Sequence, residues 1–508
     1  PKTPNLYTLK TKIVVNGRET DVEETQMGIR RIKITEGKFE INGEEMFLRG
    51  VNRHQEYPHV GYALSNEAHY RDAQKIKSAG FDYIRLSHYP HSPAFMQACN
   101  ELGIVVLDAI LGWQYYSKNS EFQQQIYRTA HDLVHRDRNH PCVIAWEVSL
   151  NESWMDEPFI DELHRIAHAE YPGEQSYTAG WQKYGYDIFL QARQHRLKHY
   201  EEPQKPYSVS EYGDWEYYAQ NAGLNQDNWD GLKQADRSSR QLLSDGEKQL
   251  LQQATNVQEA HNDNFNTPAF ADSYWVMYDY NRGYSNDLEA SGLASIYRIP
   301  KFSYYFFQSQ RPASEVSNKY QSGPMVHIAS WWTPESELNV RVFSNTDEVE
   351  LFLNGKSLGR QKPDQNRISN NMAHPPFTFN INRFEAGELL AKAFINGEEV
   401  ATHNVETPGK TTALNLTVDL SGKAPKAGVN DVIFVHAELL DDNGTIVRKN
   451  DVEVTFEVEG NARVLNPETI KTAAGIATAL VKIGDTGNPV SIKASSNNFT
   501  AKTEITFE

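Results

Sequence analysis

Short apolar segments alternate with amphipathic helical segments from residue 36 to residue 312, and this alternation constrains the fold more than any other feature. The segments typical of buried strands are MFLRGVNR (46–53), FDYIRLSH (81–88), IVVLDA (104–109), CVIAWEVS (142–149), QSYTAG (175–180), YDIFLQ (186–191), PYSVSE (206–211) and ADSYWVMY (271–278). Helical patterns cover 66–79, 92–102, 121–137, 156–169 and 301–310. Eight strands that alternate with helices predict a (β/α)8 TIM barrel.

The chain on either side of this region has the pattern of antiparallel sheet. Asn-Gly pairs at 16–17 and 354–355 are typical of hairpin turns. The polar segment 216–265 is interpreted as an insertion between strands seven and eight. The predicted domains are the last strands of an immunoglobulin-like β-sandwich whose beginning is absent (1–35), the barrel (36–312), an immunoglobulin-like β-sandwich (325–408) and a C-terminal β-sandwich (411–508).

Composition excludes several classes of partner. The formal net charge of −17, with no basic cluster, argues against nucleic acid. No apolar run approaches the roughly 18 residues of a membrane-spanning helix, so no membrane insertion is predicted. The two cysteines, Cys99 and Cys142, lie in apolar segments and are expected to be buried thiols rather than part of a disulfide framework or a zinc cluster.

Polar and aromatic residues lie at the C-terminal ends of the predicted strands, where barrels of this kind carry their active sites. They are Asn52, Arg53 and His54 after strand one, Arg85 and His88 in and after strand two, Asp108 and Trp113 for strand three, Asn151 and Glu152 for strand four, Glu211 and Asp214 for strand seven, and Trp275 in strand eight. Glycoside hydrolysis typically uses a pair of carboxylates that face each other across the open end of the barrel. We expect Arg85 to pair with Glu211 and lower its pKa, which leaves Glu152 as the acid.

Single residues in this set have ordinary structural interpretations as well. His88 alone would be a buried histidine, and Trp275 alone would be core. Glu147, inside strand four, is expected to be a paired structural acid. Asp156 and Glu157 fall at the start of the next helix, where negative charge suits the helix dipole. The joint placement at strand ends, rather than any one residue, favours catalysis.

Several motifs resemble glycoside hydrolase family 2, and within it the β-galactosidase-like members. They are LRGVNRHQEYP (48–58), FDYIRLSHYPHSPAFMQACNELGIVVLD (81–108), VSLNES (148–153), SVSEYG (208–213) and RIPKFSYYFFQS (298–309). The resemblance implies a retaining exo-β-glycosidase with an oligosaccharide substrate, a missing N-terminal jelly-roll domain and a periplasmic or extracellular setting. A homo-oligomer is an open alternative to a monomer.

The resemblance also assigns roles. Glu152 matches the general acid/base and Glu211 the nucleophile, while Arg85 matches an arginine that steadies the nucleophile. Asn151 matches a residue that holds the 2-hydroxyl of the sugar. His54 and His88 match the lining of the sugar subsite, and Trp275 matches its aromatic wall. Trp113 is expected to help shape the mouth.

The sequence departs from the family pattern in three places that bear on chemistry. LDAILGWQYY (107–116) lacks the carboxylate and histidine that serve a magnesium site in some members, so neither a catalytic metal nor another cofactor is expected. Asp214 stands where some β-galactosidases carry a histidine. SGLASIYRIPK (291–301) lacks the Asn-x-Lys pair with which β-glucuronidases of the family hold a uronate, which favours neutral galactosides.

The first hypothesis is therefore a retaining β-galactosidase that releases terminal β-galactose, with its two carboxyl groups about 5–5.5 Å apart. Other family 2 exo-β-glycosidases, namely β-glucuronidases and β-mannosidases, are the alternative enzymes. A second hypothesis of another class is a non-catalytic carbohydrate-binding protein that has kept a barrel and its β-sandwiches.

Overall fold

The computed structural model describes residues 2–35, 37–172, 177–193, 204–213, 241–282 and 288–507. The chain forms two compact units. The first comprises Pro1–His54, Phe81–Tyr212 and Asn264–Trp275, and the second comprises Gln55–Gly80, Gly213–Asp263 and Val276–Glu508. None of the described helices combines the length and the apolar character needed to cross a membrane.

The first unit opens with two small antiparallel sheets. Strands β1 (Tyr7–Val15) and β2 (Arg18–Met27) form a hairpin around Asn16 and Gly17, whose φ values of 50° and 76° are those of a type I′ turn. The turn predicted at this Asn-Gly pair is confirmed. A three-stranded sheet follows, made of β3 (Ile32–Thr35), β4 (Lys38–Ile41) and β5 (Glu44–Met46).

A closed barrel of eight parallel strands forms the centre of the first unit. The strands are β6 (Leu48–Arg53), β7 (Tyr83–Leu86), β8 (Val105–Ala109), β9 (Val143–Glu147), β10 (Thr178–Gly180), β11 (Ile188–Arg193), β12 (Tyr207–Tyr212) and β13 (Ala271–Tyr274). Each strand pairs with its neighbours in chain order, and β13 closes the barrel by pairing with β6. All eight predicted strands are present, so the predicted fold class is confirmed.

Six α-helices occur in the described residues, and five match predicted segments closely. They are α1 (Asn66–Ser78), α2 (Pro93–Leu102), α3 (Ser120–Asp137), α4 (Glu157–Glu170), α5 (Glu247–Asn264) and α6 (Phe302–Gln308), with a short 3₁₀ helix at Leu243–Asp245. Local sequence explains their ends. Ser92 caps α2 and Pro93 occupies its first turn, while Gly103 ends it at a φ of 69°.

Apolar side chains close the N-terminal end of the barrel. Leu48, Tyr83, Val105, Ile188 and Ala271 lie at the beginnings of their strands, and they form one buried cluster with residues of the β3–β5 sheet. The sheet contributes Ile32, Ile34 and Phe39. A substrate therefore has access to the barrel from the C-terminal ends of the strands, where the polar residues were predicted.

The second unit carries the sheets that follow the barrel in the chain. A short ribbon pairs β14 (Tyr280–Asn281) with β15 (Leu288–Glu289). One two-sheet module contains β16 (Val326–Ile328), β17 (Asn339–Ser344), β18 (Glu348–Leu353), β19 (Lys356–Gln361), β20 (Phe377–Asn380), β21 (Glu388–Ile395) and β22 (Glu398–Glu406). Its sheets have the orders β16-β17-β20 and β19-β18-β21-β22. They share one core that includes Trp332, and the predicted turn at Asn354-Gly355 joins β18 to β19.

A second module ends the chain. It contains β23 (Ala413–Asp419), β24 (Val432–Leu440), β25 (Glu453–Glu459), β26 (Ala462–Val464), β27 (Thr469–Lys471), β28 (Ile476–Ile483), β29 (Val490–Ser496) and β30 (Phe499–Ile505). Two four-stranded sheets, β23-β24-β28-β26 and β27-β25-β29-β30, enclose its apolar core. Both predicted sandwich regions are thus antiparallel sheet modules.

The interpretation of 216–265 as a polar insertion is wrong for its second half. Residues 247–264 form the five-turn helix α5, which begins after the 3₁₀ helix and carries buried Leu250, Ala254 and Val257 on one face. This is the crossover helix expected between two parallel strands of a barrel. Its many glutamines hid the apolar stripe. Residues 214–240 lie outside the described part of the chain.

Candidate active site

Arg85 organises the open end of the barrel. It lies in β7 with 1% of its side chain exposed. Its Nε and Nη2 donate to Glu147 at 2.8 and 2.6 Å, and its Nη1 donates to Glu211 at 2.7 Å. Two further bonds reach amide oxygens, from Nη1 to Asn52 at 3.2 Å and from Nη2 to Asn151 at 3.1 Å. One buried cation therefore holds two carboxylates and two amides that come from three strands, namely β6, β9 with its exit, and β12.

Glu147 has the structural role that the sequence predicted for it. It is the last residue of β9, it is buried, and both of its oxygens accept from Arg85 in a bidentate pair. This pair fixes Nε and Nη2 of Arg85, so the carboxylate of Glu147 orients the guanidinium with Nη1 towards Glu211. Glu147 is a positioning residue rather than a group that could touch a substrate.

Glu211, near the end of β12, has a different environment from the one predicted. Burial raises its pKa from 4.5 to about 7; Arg85 opposes this rise, and the charge of Glu152 adds to it. The expected pairing with Arg85 is present, but the expected net lowering of the pKa is wrong. The reason is that burial outweighs Arg85, whose one positive charge also serves the buried carboxylate of Glu147.

Glu152 lies in the exit from β9 and faces solvent. Its backbone is left-handed, with a φ of 49°, and its side chain is exposed. The preceding residue, Asn151, pairs through its backbone with Gly112 and Gln114 in the loop after β8, and the side-chain Nε2 of Gln114 donates to Glu152 at 2.6 Å. The adjacent Asn151 accepts from Arg85, which also holds Glu211, so the two carboxylates lie at the same end of the barrel.

Asn151 and Asn52 connect the charged groups to their surroundings. The Nδ2 of Asn151 lies 3.3 Å from Nε2 of His88, while its Oδ1 accepts from Arg85. Asn52 accepts from Arg85 and from the Ser87 hydroxyl, and it donates to the carbonyl of Ser210 at 2.8 Å. Its amide thus ties β6 to the strand that carries Glu211.

Aromatic rings form one wall of the mouth. The His88 ring stacks on Trp275 with 5.4 Å between centroids and 9° between planes, and His54 packs edge-on against Trp275 at 5.3 Å. Trp113, with 41% of its surface exposed, lies 6.0 Å from His88. Nδ1 of His54 lies 3.2 Å from the hydroxyl of Tyr89. An exposed indole beside polar rings suits the apolar face of a sugar.

Both imidazoles are neutral at physiological pH. Burial, together with the charges of Arg53 and Arg85, lowers the pKa of His54 to about 3. Burial and the charge of Arg85 also hold the pKa of His88 well below its ordinary value. Nε2 of His88 lies 3.6 Å from a carboxylate oxygen of Glu211. These rings can exchange hydrogen bonds with hydroxyl groups but offer no charge to an anionic sugar.

The structure therefore brings eight of the nine predicted site residues to one end of the barrel. The ninth, Asp214, lies outside the described residues. Gln114 and Tyr89 were not predicted as contacts of these groups, and Asn52 was predicted only by its place at the end of its strand. Gln114 was the hardest to foresee, because its bond to Glu152 depends on left-handed backbone at both residues (φ of 53° and 49°). A polar residue directly after Trp113 was the available signal.

Comparison with known proteins assigns the family. Residues 32–171 match the model of the glycosyl hydrolases family 2 TIM barrel domain, and 414–504 match the glycoside hydrolase family 2 C-terminal domain 5. Residues 335–401 match a domain of unknown function, DUF4982. The chain belongs to glycoside hydrolase family 2. Membership makes it a glycosidase by class, as the motifs in and around the barrel predicted.

The relatives of this family 2 member carry two different activities in their names. A β-galactosidase of Thermoanaerobacter pseudethanolicus is 29% identical over 537 aligned positions, which cover 100% of this chain and 68% of the relative. A family 2 β-glucuronidase structure has a TM-score of 0.79 at 21% identity. The alignment covers 100% of this chain and 53% of the β-glucuronidase chain. A family 2 member from Bacteroides cellulosilyticus has a TM-score of 0.73 at 22% identity, covering 99% and 67%. The chain thus spans between half and about two thirds of these proteins.

Proposed function

We propose that this family 2 glycosidase is a retaining exo-β-galactosidase. The observation that carries the proposal is the pairing of a buried carboxylate, Glu211, fixed by Arg85, with an exposed carboxylate, Glu152, across one mouth. A retaining mechanism needs one carboxylate to attack the anomeric carbon and another to move a proton, about 5–5.5 Å apart.

The environments of the two carboxylates assign their roles in the proposed reaction. Glu211 is held through one oxygen by Arg85, so its carboxylate is fixed for attack on the anomeric carbon. The C–O bond to the aglycone breaks as Glu152 delivers its proton to the leaving oxygen. Glu152 then removes a proton from water, which attacks the same carbon and releases Glu211. An exposed position suits Glu152, because the water from which it regains its proton enters from solvent.

The charges at the mouth favour a neutral sugar over a uronate. Arg85 is engaged by Glu147 and Glu211, and the rings of His54 and His88 are neutral. The lysine in the RIPK motif, Lys301, is buried in an ion pair with Asp279 at 2.7 Å. None of these groups is left to bind a sugar carboxylate, and burying that carboxylate without a partner costs free energy.

β-Glucuronidase activity is the second candidate, because structures with that name share the fold. We expect kcat/KM for a chromogenic aryl β-galactoside to exceed those for the matched β-glucuronide and β-mannoside by at least about tenfold. A preference for the glucuronide would overturn the substrate assignment. Binding of galactose without turnover of any substrate would favour a non-catalytic carbohydrate-binding protein.

Because the pKa of Glu211 is raised, we expect activity to fall on the acid side of the pH profile at a higher pH than it would for an ordinary glutamate. This fall is the acid limb of the profile. Below its pKa of about 7, Glu211 takes up a proton and cannot attack. We therefore expect kcat/KM on an aryl galactoside with a good leaving group to fall about tenfold for each pH unit below the limb. Glu152→Gln removes the neighbouring negative charge and should move the limb to lower pH. A limb at the ordinary glutamate value of 4.5, unmoved by Glu152→Gln, would contradict this electrostatic account.

A further inference from the structure

Two histidines and an aspartate form a cluster at the end of the barrel opposite the catalytic mouth. His164 and His168 lie one turn apart on α4, with 4.3 Å between ring centroids, and Asp187 immediately precedes β11. Each of the three side chains offers a ligand atom, and these atoms lie within 4.8 Å of one another. His168 and Asp187 are 30% and 21% exposed, so an ion could reach them from solvent.

The hydrogen bonds around His168 orient its Nε2 towards Asp187. The Tyr177 hydroxyl contacts the carbonyl of Tyr171, which can only accept, and also Nδ1 of His168 at 2.8 Å. A hydroxyl has one hydrogen, so Nδ1 must donate to the Tyr177 oxygen. This tautomer leaves Nε2 of His168 to face the Asp187 carboxylate, at 2.8 Å from Oδ2. Nε2 and the carboxylate can therefore both serve as ligands to one ion.

The neighbouring groups have the arrangement of an outer shell around a metal site. Metal-bound histidines usually donate their other ring N–H to a nearby oxygen, as His168 does to Tyr177. His164 places Nδ1 2.7 Å from the hydroxyl of Thr178. The four hydrogen bonds that described residues make to Asp187 all end on Oδ2, which leaves Oδ1 as a ligand atom.

We propose that one ring nitrogen of His164, Nε2 of His168 and the carboxylate of Asp187 bind a divalent ion of the Zn²⁺ class. Two imidazoles and one carboxylate suit zinc better than magnesium or calcium, which prefer all-oxygen sites. The site would join α4 to the start of β10 and β11. Its place at the N-terminal face of the barrel gives the ion a stabilising role, separate from the reaction and independent of the proposed function.

The chain offers a matched control for this site. His131 and His135 form a second pair one turn apart, on α3, and both contact Glu170 at 3.1 and 3.3 Å. Arg138 also binds Glu170, at 3.2 Å, so a cation already occupies that carboxylate. Both histidines are more than half exposed. This pair has the same spacing without an outer shell, and it should not hold zinc tightly.

The test is a Zn²⁺ titration of the whole protein after removal of metal with a chelator, without a histidine tag. We expect one ion per chain and a rise in Tm on binding, with no such effect from Mg²⁺. His164→Gln, His168→Gln and Asp187→Asn should each weaken binding at least about tenfold, and Tyr177→Phe, through the outer shell, by about 10–100-fold. His135→Gln should bind as the parent does. Circular dichroism would check that each variant folds.

Two results would overturn the proposal. One is a parent protein whose Tm does not respond to Zn²⁺, which would mean that the three side chains form only a hydrogen-bonded cluster. The other is Zn²⁺ binding that His135→Gln weakens and His164→Gln leaves unchanged, which would place the ion on α3. Galactoside hydrolysis should be the same with and without the chelator, so failure of this site and failure of the catalytic assignment are distinguishable.

Discussion

Glu211→Gln is expected to lower kcat/KM for an aryl β-galactoside by about 10⁴-fold or more while the protein stays folded. The amide keeps the shape of the side chain and can still accept from Arg85, but it cannot form the covalent bond to the sugar. Measurement requires initial rates over a wide range of enzyme concentration, with circular dichroism and Tm to confirm that the barrel is intact.

Glu157→Gln is the matched control for this loss. Glu157 opens α4, five residues after Glu152, and it is exposed. The same chemical change there should leave the rate within a factor of two or so of the parent, because surface charges away from the site contribute little. Equal rates for Glu211→Gln and the parent would rule out Glu211 as the nucleophile.

Arg85→Met should cost about 3–5 kcal/mol in the free energy of unfolding of the barrel, because it leaves the carboxylates of Glu147 and Glu211 buried without their cation. The loss would appear as a lower midpoint in urea unfolding followed by tryptophan fluorescence. Activity should also be lost, since Glu211 would be protonated and free to move.

The double variant Arg85→Met/Glu147→Gln separates charge from packing. It removes one of the two carboxylates that Arg85→Met leaves unpaired, so it should be more stable than Arg85→Met alone. If the double variant were less stable than the single one, the loss would come from packing around the methionine rather than from unpaired carboxylates. That outcome would contradict the view of Arg85 as the shared cation of the site.

The barrel could be predicted because its strands are short apolar runs bounded by turn and helix-cap residues. VVLDA and VIAWE, for example, are buried throughout, as strands of a parallel barrel must be. Ser92-Pro93 and Gly103 mark the ends of α2 locally. Helix α5 was missed because glutamine and asparagine interrupt its apolar stripe, and amphipathic periodicity was the only signal available.

The residue types of the site could be predicted, but their electrostatics could not. The position of Glu211 at the end of its strand follows from the strand pattern. Its raised pKa follows from burial and from the second carboxylate on Arg85, which are properties of the packed barrel. The same holds for His164, His168 and Asp187, whose proximity requires α4 to pack beside β10 and β11.

Trapping with a 2-deoxy-2-fluoro-β-galactoside that has a good leaving group would identify the nucleophile directly. The fluorine slows release of the sugar from the nucleophile, so a covalent intermediate accumulates and peptide mass spectrometry can locate it. We expect one fluorogalactosyl group per active chain, on the peptide that contains Glu211. A chain that hydrolyses galactosides but takes up no label, or carries it on Glu152, would rule out Glu211 as the nucleophile.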